Sequence, residues 1–409
     1  MLFAPADVSP YGNGIQPSEG YFFVFDGLHW SISTPAVATI GKPDFVRQDV
    51  YRSDPTQEAQ PFNQASTHDT GQLTAAYTEG NRIEFGRVWG HRGWFFSGYR
   101  LNNQTQMIVT GTADVAFEDF DIATGIKALD GLVENLDPDA QDPTDPTLSG
   151  TITEIRSLPV TFDELIMKNR VETWSVELMG MHRFHQLHHG GVFEVFAGAR
   201  YLEFNESFDV NGLGDELTTT TGQQPPGQQP PAQPGTQLAP IPPILADSVW
   251  NTIADNHIVG PQIGMRYFRR HNRWMISTEG RFLAGINFQN IRQSGVLGSR
   301  LTAPGTLDQP YLLGPADVDH TEFLDEWSPL VELRAELRYQ LTRSISVRFG
   351  WTGFWVDGIA RPSNMINYEI AVPNRRPNPV DYEMMGILTE NNQQSVFAQG
   401  FSIGLDVNR

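Results

Sequence analysis

The feature that most constrains this chain is a repeated pairing of strand-length segments across very short connections. Arg170–Phe184 and Gly191–Phe204 flank His185–Gly190, and His257–Phe268 and Arg273–Phe288 flank Arg269–Asn272. Trp327–Leu341 and Ser344–Asp357 flank Thr342-Arg343, and Arg82–Trp89 meets Trp94–Asn103 across Gly90–Gly93. Each unit reads as an antiparallel hairpin. Between the units lie long, poorly patterned stretches: Ser33–Asn81, Asn103–Asn169, Asn205–Asn256, Gln289–Glu326 and Gly358–Gln394. Gly20–Ile32 and Ser395–Arg409 bring the count to ten strands joined alternately by short and long connections, with twelve as the alternative. Structureless loops of that length are uncommon in a compact domain. They are normal at one end of an up-and-down outer-membrane barrel, whose turns at the other end are short.

Within the segments, side-chain character alternates with period two. Val331, Leu333, Ala335, Leu337 and Tyr339 oppose Glu332, Arg334, Glu336 and Arg338, while Phe193, Val195, Ala197, Ala199 and Tyr201 oppose Glu194 and Arg200. One face therefore meets an apolar medium and the other a polar one. A soluble sandwich would put the apolar face in its core, and a membrane barrel would turn it to lipid. Segments of 12–15 residues, long loops confined to one end, and Trp30, Trp89, Trp94, Trp274, Trp351 and Trp355 near strand ends favour the barrel. The expected fold is thus all-β: an up-and-down antiparallel transmembrane β-barrel, a single domain over 1–409. Segments 103–169 and 205–256 are its long outer loops, the second carrying a Pro/Gln-rich insert at 222–243.

Composition sharpens this picture. Only 39% of the chain is hydrophobic, which excludes a helical membrane protein but not a barrel, where alternate strand residues suffice. Asp and Glu outnumber Lys and Arg by 48 to 28, for a net charge of −20, so a nucleic-acid partner is excluded. Cysteine is absent, and with it disulfides and thiolate chemistry. The acid collects in the long connections: Asp114 to Glu164 holds 13 carboxylates against Lys127 and Arg156. The short turns instead carry His91, Arg92, Arg269, Arg270, His271 and Arg343 and no acid.

On the polar strand face, Glu177, Arg183, Glu194, Arg200, Arg266, Glu279, Arg281, Glu332, Arg334, Glu336, Arg338, Arg348 and Asp406 interleave both signs. Inside a narrow barrel these would neutralise one another, whereas an ion-selective pore shows one dominant sign. The lumen is expected to be plugged by a charge network. Asp137, Asp139, Asp142 and Asp145 form an Asp-Pro-rich loop that could hold a cation such as Ca2+, although it lacks the ligand spacing of an EF-hand. No other cofactor is implied. His182, His185, His188 and His189 cluster beside a turn without a carboxylate to complete a metal set. No nucleophile elbow, Walker loop, HExxH or dinucleotide fingerprint is present.

Several stretches resemble the planctomycete-type outer-membrane β-barrel family. They include Leu158–Phe162, Trp174–Glu177, His185–Phe204, Val259–Phe268, Glu279–Phe282 with Asn287–Asn290, Glu336–Arg343 and Gly404–Arg409. The resemblance runs from about Leu158 to the C-terminus and implies an exported outer-membrane protein without a settled biochemical activity or catalytic residues. The chain opens without a basic and apolar leader, so export would use a signal peptide not present in this sequence. The expected partners are outer-membrane lipid, the barrel-assembly machinery and further copies of the chain meeting through the loops. The expected function is a non-enzymatic surface protein of the bacterial outer membrane, acting through acidic extracellular loops and lateral homo-oligomeric assembly. The alternatives are a narrow porin-like channel for small solutes and a loop-based hydrolase or lectin.

Overall fold

The computed structural model describes residues 19–41, 45–49, 61–65, 68–118, 157–188, 190–214, 247–297, 316–366 and 393–408. Ten strands form a closed antiparallel ring: β1 Gly20–Ile32, β2 Tyr77–Trp89, β3 Arg92–Leu101, β4 Glu164–Arg183, β5 Gly191–Leu213, β6 Ser248–His271, β7 Trp274–Leu297, β8 Ala316–Gln340, β9 Ile345–Ala360 and β10 Gln393–Asn408. Neighbours in sequence are neighbours in the ring, and β1 closes it against β10 through Phe22↔Asn408 to Ile32↔Ala398. The fold is an up-and-down transmembrane β-barrel.

The outward face of the lower barrel is apolar. Phe23, Phe25, Ile83, Phe85, Leu178, Ile263, Met265, Leu333, Leu337, Phe401 and Ile403 are exposed there. Aromatic pairs rim this band near the short turns, with Phe193–Tyr267 at 4.9 Å and Trp274–Tyr339 at 4.7 Å between ring centroids. Trp174–Tyr201 at 5.2 Å and the stacked His29–Tyr77 pair at 4.7 Å mark its other edge. Trp30, which the sequence places in this girdle, is instead buried inside the barrel.

Strand lengths depart most from expectation. A transmembrane strand needs about 9–11 residues, yet β5 to β8 have 23, 24, 24 and 25. Asn205–Leu213 and Ser248–Asn256, expected as loop within 205–256, belong to β5 and β6. In 103–169, Gln104–Thr110 continues the wall along β4, Ala113–Glu118 pairs with Ser157–Phe162, and Glu164–Asn169 begins β4. The cause is a reversal in the phase of alternation. Below Tyr201, β5 turns Phe193 and Val195 outward and Glu194 and Arg200 inward; above it, Phe204, Phe208 and Val210 point in and Asn205, Asp209 and Asn211 point out. The same reversal occurs in β4, with Leu165, Met167 and Val171 inward, and in β6, with Trp250, Ala254 and Ile258 inward. Above the lipid the wall moves toward the ordinary rule for a protein in water, apolar residues turning inward beside buried amides such as Asn256, Asn287 and Gln289 and charged residues turning outward.

Because β1, β2, β3, β9 and β10 are short, this wall stands tall on one side only, from the Gln104–Thr110 strand through β4 to β8. The chain leaving β9 folds into the mouth. A register shift between Val356 and Ile359 carries Gly358 at φ 69°, where the carbonyl accepts from Asn287 Nδ2 (2.8 Å) and Gln289 Nε2 (2.9 Å). Asn256 then holds Ala360 by both its N–H (2.9 Å) and its carbonyl (3.0 Å). A Cβ on Gly358 would lie 2.7 Å from the Trp327 carbonyl oxygen. Gly358→Val should therefore cost at least ~1–3 kcal/mol in backbone strain. Limited proteolysis of the folded barrel should show new cleavage after β9.

Candidate functional site: the charged lumen

Inward positions of every ring strand except β3 converge on two neutral clusters of buried charge. In the first, Arg183 pairs with Glu194 (2.7 Å), and Arg266 reaches Glu279 (2.6 Å), Glu194 (3.4 Å) and Glu84 (3.8 Å). Arg281 bridges Glu177 and Glu279, Arg334 pairs with Glu332 and stands 4.0 Å from Glu84 and from Glu279, and Arg200 donates to Glu332 at 2.5 Å. Five guanidinium groups thus meet five carboxylates. In the second, Arg82 and Arg348 share Asp26 (2.7 and 3.2 Å), Arg348 and Arg338 share Glu336, and Arg338 reaches Asp406 (2.8 Å). Three cations there meet three acids.

Sheet register supplies this pairing. Arg183↔Glu194, Glu177↔Arg200, Glu194↔Arg266, Arg266↔Glu279, Glu279↔Arg334, Arg281↔Glu332 and Asp26↔Arg82 sit directly opposite one another across adjacent strands. Arg338↔Arg348 is the like-charged exception, and Glu336 contacts both. Polar neighbours fill remaining valences: Ser175 Oγ accepts from Arg200 Nε (2.8 Å) and Gln262 Nε2 donates to Glu177 (2.7 Å). Inward glycines make room, since a Cβ on Gly404 would strike the Asp26 carboxylate and one on Gly400 the Trp30 ring.

All thirteen charged residues singled out in the sequence face the lumen and join these clusters. By themselves they comprise seven arginines and six acids. Asp26, Arg82 and Glu84, which the sequence reading missed, bring both clusters to zero net charge. Asp26 lies in Gly20–Ile32, where apolar residues occupy both faces and obscure the alternation. Asp137, Asp139, Asp142 and Asp145 and the Pro/Gln insert lie outside the described residues.

Above the charges the interior becomes apolar. Leu28, Trp30, Tyr99, Leu202, Phe204, Ile258, Leu283, Leu330, Phe354 and Val356 form one buried layer across the barrel. A bidentate pair caps it: Arg361 donates to Glu206 at 2.7 and 2.9 Å, and its third nitrogen reaches the Ser33 carbonyl at 2.8 Å. On the outer wall, burial raises the Asp209 carboxyl above its ordinary range, opposed by Asn251, which donates to it, and by the charge of Lys168. At the opposite end His91 and His185 approach to 4.3 Å between centroids, and His91 Nδ1 donates to the Arg183 carbonyl at 3.0 Å. Among the described residues no group of three or more His, Asp or Glu has a geometry that could hold a metal.

A ten-stranded ring is only slightly wider than an eight-stranded one, whose interior side chains fill. Among the described residues, paired Arg and Glu and, above them, a buried apolar layer occupy the inward positions. Comparison with known proteins agrees with the architecture. The family model described as "Putative beta barrel porin-7 (BBP7)" matches residues 68–408. The chain belongs to the BBP7 family. A search of curated proteins finds no match. Among solved structures, the outer membrane protease OmpT from Escherichia coli is 8% identical over 97% of this chain and 98% of that one, with a TM-score of 0.38. The Ralstonia pickettii toluene transporter TbuX is 10% identical over 99% and 96%, with a TM-score of 0.24. A Pseudomonas aeruginosa FadL homologue is 9% identical over 95% and 90%, with a TM-score of 0.23.

Removing one member of a buried pair strands its partner. Glu332→Ala leaves Arg200 and Arg334 without their shared acid and should destabilise the barrel by ~3–5 kcal/mol in urea unfolding from lipid vesicles. Replacing all three by apolar residues of similar volume should cost markedly less.

Proposed function

We propose that this BBP7 barrel is a non-enzymatic structural protein of the bacterial outer membrane, its lumen closed and its work done by the outer wall and loops. The observation that carries this reading is the stacked closure of the interior. The two neutral charge clusters side by side, then an apolar layer, then the Arg361–Glu206 pair follow one another along the strands. A conducting pore needs a continuous wet path lined by groups that bind solute weakly, and an apolar layer interrupts such a path.

The outward polar face of β4 to β8 offers Lys168, Arg170, Glu203, Asp209, Asn251, Asp255 and Arg292 above the lipid. Mixed charge on a tall, rigid wall suits lateral contact with further copies of the chain. The family description favours a second reading, a narrow channel for small solutes.

Planar-bilayer recording of the purified full chain separates the two. The closed reading expects no stepwise conductance, and stable unitary steps would overturn it. Replacing Trp30 and Phe354 together by glycine should open a leak if the apolar layer is the seal. Crosslinking on intact cells should yield a ladder of multimers, whereas monomer alone would remove the assembly element.

A further inference from the structure

The lipid-facing surface near the short turns carries a cation that no acid neutralises. Arg87 on β2 is exposed and points outward, with its guanidinium 4.9 Å from the Tyr21 ring and 5.8 Å from the Trp89 ring. Among the described residues it has neither an ion pair nor a hydrogen bond from its side chain, and Glu19, just before β1, does not pair with it. This contrasts with the inward arginines, each matched to a carboxylate. Register adds two more outward groups: Arg92 lies opposite Trp89 on one side and opposite His182 on the other, and both are exposed.

An arginine on the lipid face of a barrel costs ~2–4 kcal/mol at the bilayer midplane and ~0–1 kcal/mol near the interface. Arg87 lies two residues from the end of β2, at the end where barrels of this class meet the periplasmic leaflet. Contact with two aromatic rings holds the guanidinium in place, and N–H groups without a partner among the described residues can take a phosphate through two parallel hydrogen bonds.

We propose that Tyr21, Arg87, Trp89, Arg92 and His182 form a binding site for the headgroup phosphate of an anionic phospholipid in the periplasmic leaflet. Arg87 is the bidentate anchor and Trp89 and Tyr21 are its platform. The excess of positive charge selects a headgroup with net negative charge over a zwitterionic one. The site is independent of whether the lumen conducts.

Native mass spectrometry of the detergent-purified full chain with equimolar phosphatidylglycerol and phosphatidylcholine tests this. The wild type should retain phosphatidylglycerol roughly tenfold better, given the attraction of basic side chains for anionic lipid. Arg87→Gln with Arg92→Gln should bring the two lipids to parity, and Arg100→Gln at the outer end should change nothing. Arg87→Lys keeps the charge without the planar fork and should fall between; it serves if the double variant does not fold. Parity in the wild type, or undiminished preference in both Arg87 variants, would sink the proposal. So would displacement of the lipid by millimolar inorganic phosphate, which would show a simple anion patch.

Discussion

The interaction on which this structure depends is charge compensation inside the lumen. Eight arginines taken out of water are tolerable only if each finds a carboxylate in good geometry, because an isolated buried charge costs several kcal/mol. Antiparallel register meets that demand at no extra complexity. Once Glu194 stands opposite both Arg183 and Arg266, slipping β5 by a residue would break several pairs at once. The network therefore fixes register as well as filling space. In the membrane-embedded part it shares the interior with a small buried apolar cluster of Val88, Phe95, Met179, Met181 and Phe196, most other apolar side chains there facing lipid.

Much of the barrel was legible in the sequence. The four tight hairpins, the ring of ten strands and the inward set of charges all follow from period-two alternation and turn spacing. What was lost lay where the pattern changes meaning. Beyond Leu202 the same alternation continues with its phase reversed, so Phe208, Val210 and Trp250 read as a break when they are the same strands in a different solvent. Trp30 was misplaced for a related reason. Tryptophan near a strand end signals an interface, but its inward parity beside Leu28 and Ile32 makes it part of the buried apolar layer.

The closing segment after β9 was beyond the reach of periodicity. Gly358 and Ala360 are held by side chains from two distant strands, Asn256 on β6 and Asn287 on β7. No local signal distinguishes an amide that anchors a folded-in chain from one that faces water. Likewise Asp26 looked incidental in its aromatic surroundings until closure of β1 on β10 and β2 brought Arg82 and Arg348 to it.

The phase reversal also has a mechanical meaning. Raising the barrel by one pair of residues would lift a full ring of Phe, Leu and Ile into water; lowering it would drag Asn, Asp and Arg side chains into hydrocarbon. Both displacements are opposed along β4, β5 and β6 at once. The polypeptide thus carries its own waterline, and the depth at which it floats is encoded by where inside and outside exchange character.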